Sequence, residues 1–152
     1  MPEVGEVAPD FTLQDNKGET VTLSGLKGKT VVLFFYPKAD TPGCTVEACS
    51  FRDTKAGFDA ADIVILGISP DTVKAQDKFA EKFGLPYRLL ADADHAVAEA
   101  YGVWKQKSMY GKQYMGVDRT SFVIGPDGNL THVFRKVKVD GHAAEVLAAL
   151  KG

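Results

Sequence analysis

Only two cysteines, one tryptophan and three histidines occur among the 152 residues, and each scarcity excludes something. Two thiols cannot build the disulfide framework of a small secreted scaffold. A chain that buries roughly 70% of its unfolded surface does not need one either. His95, His132 and His142 stand singly and far apart, without the paired spacing of a metal site. Long apolar runs are missing too: "VVLFFY" and "IVILGI" fall well short of the roughly 20 residues of a membrane span. No sign of charge dominates, with 18 basic against 20 acidic residues and a net charge of -2. No basic run points to nucleic acid, so neither nucleic acid nor membrane is an expected partner. The opening "MPEVGEVAPDF" lacks the basic segment and apolar stretch of a secretory signal. A cytoplasmic location is therefore expected, and a reducing compartment favours reactive over structural cysteines.

The patterns that are present describe one domain spanning residues 1–152. "FTLQ" and "TVTL" alternate around the turn "DNKG" and predict an amino-terminal β-hairpin. "VVLFFY" and "IVILGI" are continuous apolar runs suited to strands buried on both faces. Between them a helix is expected from about Cys44, after Pro42 and Gly43, with Phe51 and Phe58 on one stripe. Strand, helix, strand at this spacing indicates parallel pairing through a right-handed crossover. "DTVKAQDKFAEKFG" and "DADHAVAEAYG" give two further helices. "TSFVIG" and "LTHVFRKV" around "PDGN" give an antiparallel hairpin, and "GHAAEVLAALK" closes the chain as a helix. "KQKSMYGKQYMG" carries no clear periodicity and is expected to be a surface loop. The expected fold is α/β, a central mixed sheet flanked by helices, which resembles the thioredoxin fold in outline.

Both cysteines fall in "YPKADTPGCTVEACSFRD", five positions apart. In an intact helix that spacing separates the Cα atoms by roughly 8 to 9 Å, whereas a disulfide needs less than about 7 Å. Cys44 and Cys49 can be bridged only if this segment unwinds, which makes the pair a candidate redox switch. Cys44 stands at the expected helix start, where unpaired N–H groups and the helix dipole favour a thiolate. Thr41 brings a hydroxyl close by, able to donate to the sulfur or to a bound oxygen. Cys49 lacks the end effect. Two buried small hydrophobes, a metal site and a two-residue-spaced dithiol are the competing readings of the pair; the last needs two intervening residues, and four are present.

The segment resembles the active-site signature of the peroxiredoxins, with Pro37, Thr41 and Cys44 at its Pro, Thr and Cys. "TPGCT" followed by "EA" is similar to the peroxiredoxin Q, or bacterioferritin comigratory protein, branch. "GEVAPDFTL", "GISPD", "FAEKFGLPYRLLAD", "YGVW" and "GVDRTSFVIGPDG" extend the resemblance over nearly the whole chain. It implies a thiol peroxidase of the atypical two-cysteine type: Cys44 attacks hydrogen peroxide or an alkyl hydroperoxide, and Cys49 resolves the sulfenic acid as an intramolecular disulfide. Thioredoxin, or less favoured glutaredoxin, then restores the dithiol, with no cofactor. Thr41, Gly43, Cys44, Glu47 and Arg119 form the implied peroxide-binding set, and Pro37 shields it from water. From the residues alone Arg119 reads as an ordinary surface side chain, and Glu47 equally as a solvated first-turn carboxylate. Phe51, Trp104 and Tyr110 are candidate pocket residues. "GGLG" and carboxyl-terminal "YF" segments, which mark easily overoxidised relatives, do not occur, so resistance to sulfinic acid formation is expected. A general thiol-disulfide oxidoreductase and a redox sensor or chaperone-like module are the alternative functions. Monomer and weak homodimer both stay open.

Overall fold

The computed structural model describes residues 1–151. A seven-stranded mixed sheet forms its centre, from nine strands in chain order: β1 (Thr12–Asp15), β2 (Thr20–Thr22), β3 (Thr30–Phe35), β4 (Ile63–Ser69), β5 (Arg88–Ala91), β6 (Trp104–Met109), β7 (Lys112–Val117), β8 (Thr120–Ile124) and β9 (Leu130–Phe134). Four α-helices join them: α1 (Pro42–Ala60), α2 (Val73–Phe83), α3 (Ala96–Ala100) and α4 (His142–Lys151). The sheet runs β2-β1-β5-β4-β3-β8-β9, and β6 pairs only with β7. As expected, β3 and β4 lie parallel across α1, while β8 and β9 form an antiparallel hairpin.

Alternation along β3 divides the interior in two. Val31, Leu33 and Phe35 face one side with Ile68, Tyr101, Phe122 and the amino-terminal segment. Val32, Phe34 and Tyr36 face the other, under α1, α2 and α4, with Phe51, Phe58, Phe79 and Val146. The period-2 geometry of a strand makes this division, and two covered faces explain why the sequence reads as one apolar run.

Two segments depart from the sequence expectation. "RLLA" becomes β5, which joins the amino-terminal hairpin to β4; four residues are too few to carry a periodicity. The stretch expected to be a loop is the antiparallel hairpin β6–β7, turned at Tyr110 and Gly111, both with positive φ. Its residues are mostly exposed, so no buried face imposes the alternation by which a strand is recognised.

Candidate active site

Strand β3 ends under the helices, and Tyr36 still donates its N–H to the Ile68 carbonyl at 3.0 Å. Pro37 then stops the ladder, having no N–H to offer. The loop 37–41 is held at several points. Ala39 donates its N–H to Asp71 Oδ2 at 2.8 Å, and Ser69 Oγ donates to the same oxygen at 2.6 Å. Asp40, with a left-handed φ of 59°, pairs with Lys82 at 3.0 Å. Thr41 Oγ donates to the Lys38 carbonyl at 2.8 Å. With its hydrogen so engaged, this hydroxyl presents lone pairs rather than a donor, the reverse of the role expected from sequence.

Helix α1 opens with Pro42 in its first turn, where a missing N–H goes unfelt and φ is already helical. Cys44 follows in that turn, 1% exposed, at the end where unpaired N–H groups and the dipole favour an anion. Arg119, the residue before β8, crosses to it: Nη2 donates to Cys44 Sγ at 3.4 Å, and Nη1 donates to Glu47 Oε1 at 2.7 Å. Gly43 leaves room for this, since a Cβ there would stand 3.2 Å from Arg119 Nη2. The guanidinium thus spans thiol and carboxylate with its rigid fork.

Two readings are corrected here. Glu47 is not solvated but 0% exposed, with Oε2 lacking any hydrogen-bond partner. Burial pushes its carboxyl up to about 7, against the pull of Arg119. Arg119 is no ordinary surface residue; its side chain is largely enclosed between Glu47 and Cys44. The face of α1 that covers the sheet carries positions 44, 47, 48 and 51 inward, and this places Glu47 inside. Pro37 is half-buried beside the loop. Cys49 lies five residues along α1, half-buried, and both thiols are free within a continuous helix.

The three candidate pocket residues have different surroundings, and Phe51 shares the apolar cluster of Cys44. Phe51 is a core residue, stacked on Phe34 with ring centroids 4.5 Å apart. Trp104 lies flat on His95 at 3.9 Å, and Tyr110 is 97% exposed at the β6–β7 turn. Each has the large apolar surface that made it a candidate, but core, root and tip of separate elements claimed them. Conversely, Asp71 grips the active-site loop without any local sequence signal. Nothing in the five letters "GISPD" marks its carboxylate as a loop anchor. Among the described residues no group of three or more His, Cys, Asp or Glu side chains could hold a metal ion.

Chemically, the site sets a thiol at a helix amino terminus beside a fixed cationic donor and a hydroxyl acceptor. A group reacting with the sulfur and gaining negative charge would meet Arg119 and the first-turn N–H groups. A family model described as AhpC/TSA matches residues 4–133. Peroxiredoxin Bcp of Bacillus subtilis is 52% identical over 149 residues, which cover 98% of this chain and 95% of that protein. Peroxiredoxin Bcp of Escherichia coli K12 is 46% identical, with 98% and 96% covered. Among solved structures, the bacterioferritin comigratory protein of Xanthomonas campestris, described for its alkyl peroxide reduction activity, superposes with a TM-score of 0.91 at 42% identity, covering 98% of each chain. A cysteine-to-serine mutant of Xylella fastidiosa PrxQ gives 0.94 at 35% identity, with 99% and 96% covered.

Proposed function

The chain belongs to the AhpC/TSA family as a peroxiredoxin, a thiol-dependent peroxidase, and from that premise we propose that Cys44 is its attacking thiolate and Cys49 its resolving thiol. The contact of Arg119 Nη2 with Cys44 Sγ at 3.4 Å is the observation that carries this reading. Peroxiredoxins act on peroxides; for this chain hydrogen peroxide and alkyl hydroperoxides are the substrates, the latter supported by the Xanthomonas relative.

In the first step the Cys44 thiolate forms an S–O bond to one peroxide oxygen as the O–O bond breaks. Sulfur is oxidised by two electrons to a sulfenic acid, and the departing oxygen leaves as alcohol or water once protonated. Arg119 and the N–H groups around Cys44 stabilise the charge that grows on that oxygen. The Thr41 hydroxyl, its own hydrogen on Lys38, accepts the hydrogen of the incoming hydroperoxide. Gly43 leaves the guanidinium its space, Pro37 limits water at the rim, and Glu47 orients Arg119 rather than touching the substrate.

In the second step α1 unwinds from its amino-terminal end and the Cys49 thiol attacks the sulfenic sulfur. An S–S bond forms and water leaves. A dithiol reductant, thioredoxin with glutaredoxin as the lesser choice, then attacks the disulfide through a mixed disulfide and leaves it as two thiols. This cycle belongs in a reducing compartment, the cytoplasm, and it needs only the single domain 1–152, as monomer or weak homodimer.

Rapid mixing of the reduced protein with one equivalent of hydrogen peroxide tests the assignment, read by intact mass and thiol count. Fast loss of both thiols is expected in the wild type, one added oxygen in Cys49→Ser and no fast reaction in Cys44→Ser. Reaction of all three at the rate of free cysteine would overturn it.

A further inference from the structure

Unwinding of α1 must start at Pro42 and pass Cys49, so whatever grips residues 42–50 sets how readily it happens. Large apolar anchors are missing from this stretch: its buried side chains are Cys44, Glu47 and Ala48. The grips that remain are polar and come from three elements. Arg119 holds Glu47 at 2.7 Å, and the Ala143 N–H at the start of α4 reaches Ser50 Oγ at 3.3 Å. The third comes from the bend before β5, where Tyr87 Oη donates to the Ala48 carbonyl at 2.6 Å.

This third bond is the shortest of the three and acts on backbone. Ala48 O already accepts the helical bond from the N–H four residues on, so the phenol occupies its second lone pair. Breaking the helix there strands a buried hydroxyl as well as the carbonyl. Tyr87 is itself fixed, buried and edge-on to Phe34 at 5.8 Å between centroids. Burial holds its phenol well above the usual range, so it stays a neutral donor.

We propose that Tyr87 is a positioning residue for the resolving step: its hydroxyl latches the Ala48 peptide, keeps the Cys44 turn folded for attack on peroxide, and limits how fast Cys49 reaches the sulfenic acid. The part concerning Cys49 rests on the function proposed above. Release of the latch favours the disulfide, and a tighter latch prolongs the sulfenic acid and its exposure to a second peroxide.

Tyr87→Phe keeps the ring and removes only the bond, which a net hydrogen bond makes worth roughly two- to tenfold. In the reduced variant, amide hydrogen exchange across residues 46–54, whose N–H groups bond the carbonyls of 42–50, is expected to accelerate by that factor while residues 55–60 exchange as before. After one equivalent of hydrogen peroxide, sulfenic acid formation is expected to keep its rate and disulfide formation to rise about two- to tenfold. Under excess peroxide the sulfinic fraction should fall. A merely structural role would slow both steps and accelerate exchange throughout α1, and that result overturns the latch. Unchanged exchange at 46–54 overturns it too, whatever Cys49 does. Faster exchange without a Cys44–Cys49 disulfide in either protein upholds the grip on the helix and overturns the reading of Cys49 as resolver.

Discussion

The two halves of α1 share one axis and one run of backbone bonds, yet they are attached to the molecule by different means. From Phe51 onward the helix is fastened by aromatic packing. The Phe51 ring stacks on Phe34 at 4.5 Å, meets Phe58 at 5.9 Å and lies edge-on to His142 at 5.8 Å. Gly57 admits α4 so closely that a Cβ there would stand 2.5 Å from Leu147 Cδ2. Before Phe51 the fastening is a few polar contacts and two small buried side chains, Cys44 and Ala48. Apolar burial resists any local opening, whereas hydrogen bonds in a first turn can be exchanged for water with a small net change. The difference confines opening to the half that carries both thiols and spares the half that holds the core.

The largest way to break that contrast is to remove the fastening of the second half. Phe51→Ala is expected to destabilise the whole protein by about 3–5 kcal/mol, the range for deleting a buried aromatic side chain. Val46→Ala, on the exposed side of the first half, should stay within about 0.5 kcal/mol. Urea unfolding of the two variants checks the pair; equal losses would mean that the halves are not separately held. Arg119→Met comes next and separates function from folding in the first half. Loss of an aimed donor should lower the rate constant for hydrogen peroxide by about 10²- to 10³-fold. At pH 5, where Glu47 takes up a proton, the thermal midpoint should move little. Stopped-flow peroxide reduction beside a melting curve reads both; a large fall in midpoint with a modest fall in rate would make Arg119 a structural residue.

The same contrast separates what the sequence makes legible from what it does not. Helical spacing alone shows that Cys44 and Cys49 cannot bridge in an intact helix, and continuous apolar runs mark β3 and β4 because both faces of the sheet are covered. Local signals of this kind survive in the letters. Arg119 stands 75 residues from Cys44, and no local pattern ties them; only the resemblance brought them together. Glu47 misled for a related reason. A first-turn acid normally faces water, and its burial follows from how α1 rolls against the sheet. Tyr87 and Asp71 act on backbone groups of other segments, contacts that leave no periodicity. The β6–β7 hairpin is hidden differently, since a ribbon without a core face has nothing to alternate.

Glu47 gives the smallest and most local test of the comparison. Burial pushes its carboxyl up to about 7 in the folded protein, from an ordinary value of 4.5. A raised carboxyl pKa means that the folded protein keeps a proton which the unfolded chain releases, so stability falls as pH climbs from about 4.5 to 7. Glu47→Gln removes that titration and should flatten this part of the curve, with wild type and variant most alike near pH 4. Because Glu47 sits in the loosely held half of α1, the change should also appear locally, as hydrogen exchange at residues 46–54 that rises less between pH 5 and 7.5 in Glu47→Gln, after correction for intrinsic exchange. Wild-type stability that instead stays level against the variant over this range and drops only below about pH 4.5 would show attraction to Arg119 exceeding desolvation, with Glu47 ionised throughout. The first half of α1 would then be fastened by a permanent ion pair rather than by one whose strength a single proton adjusts.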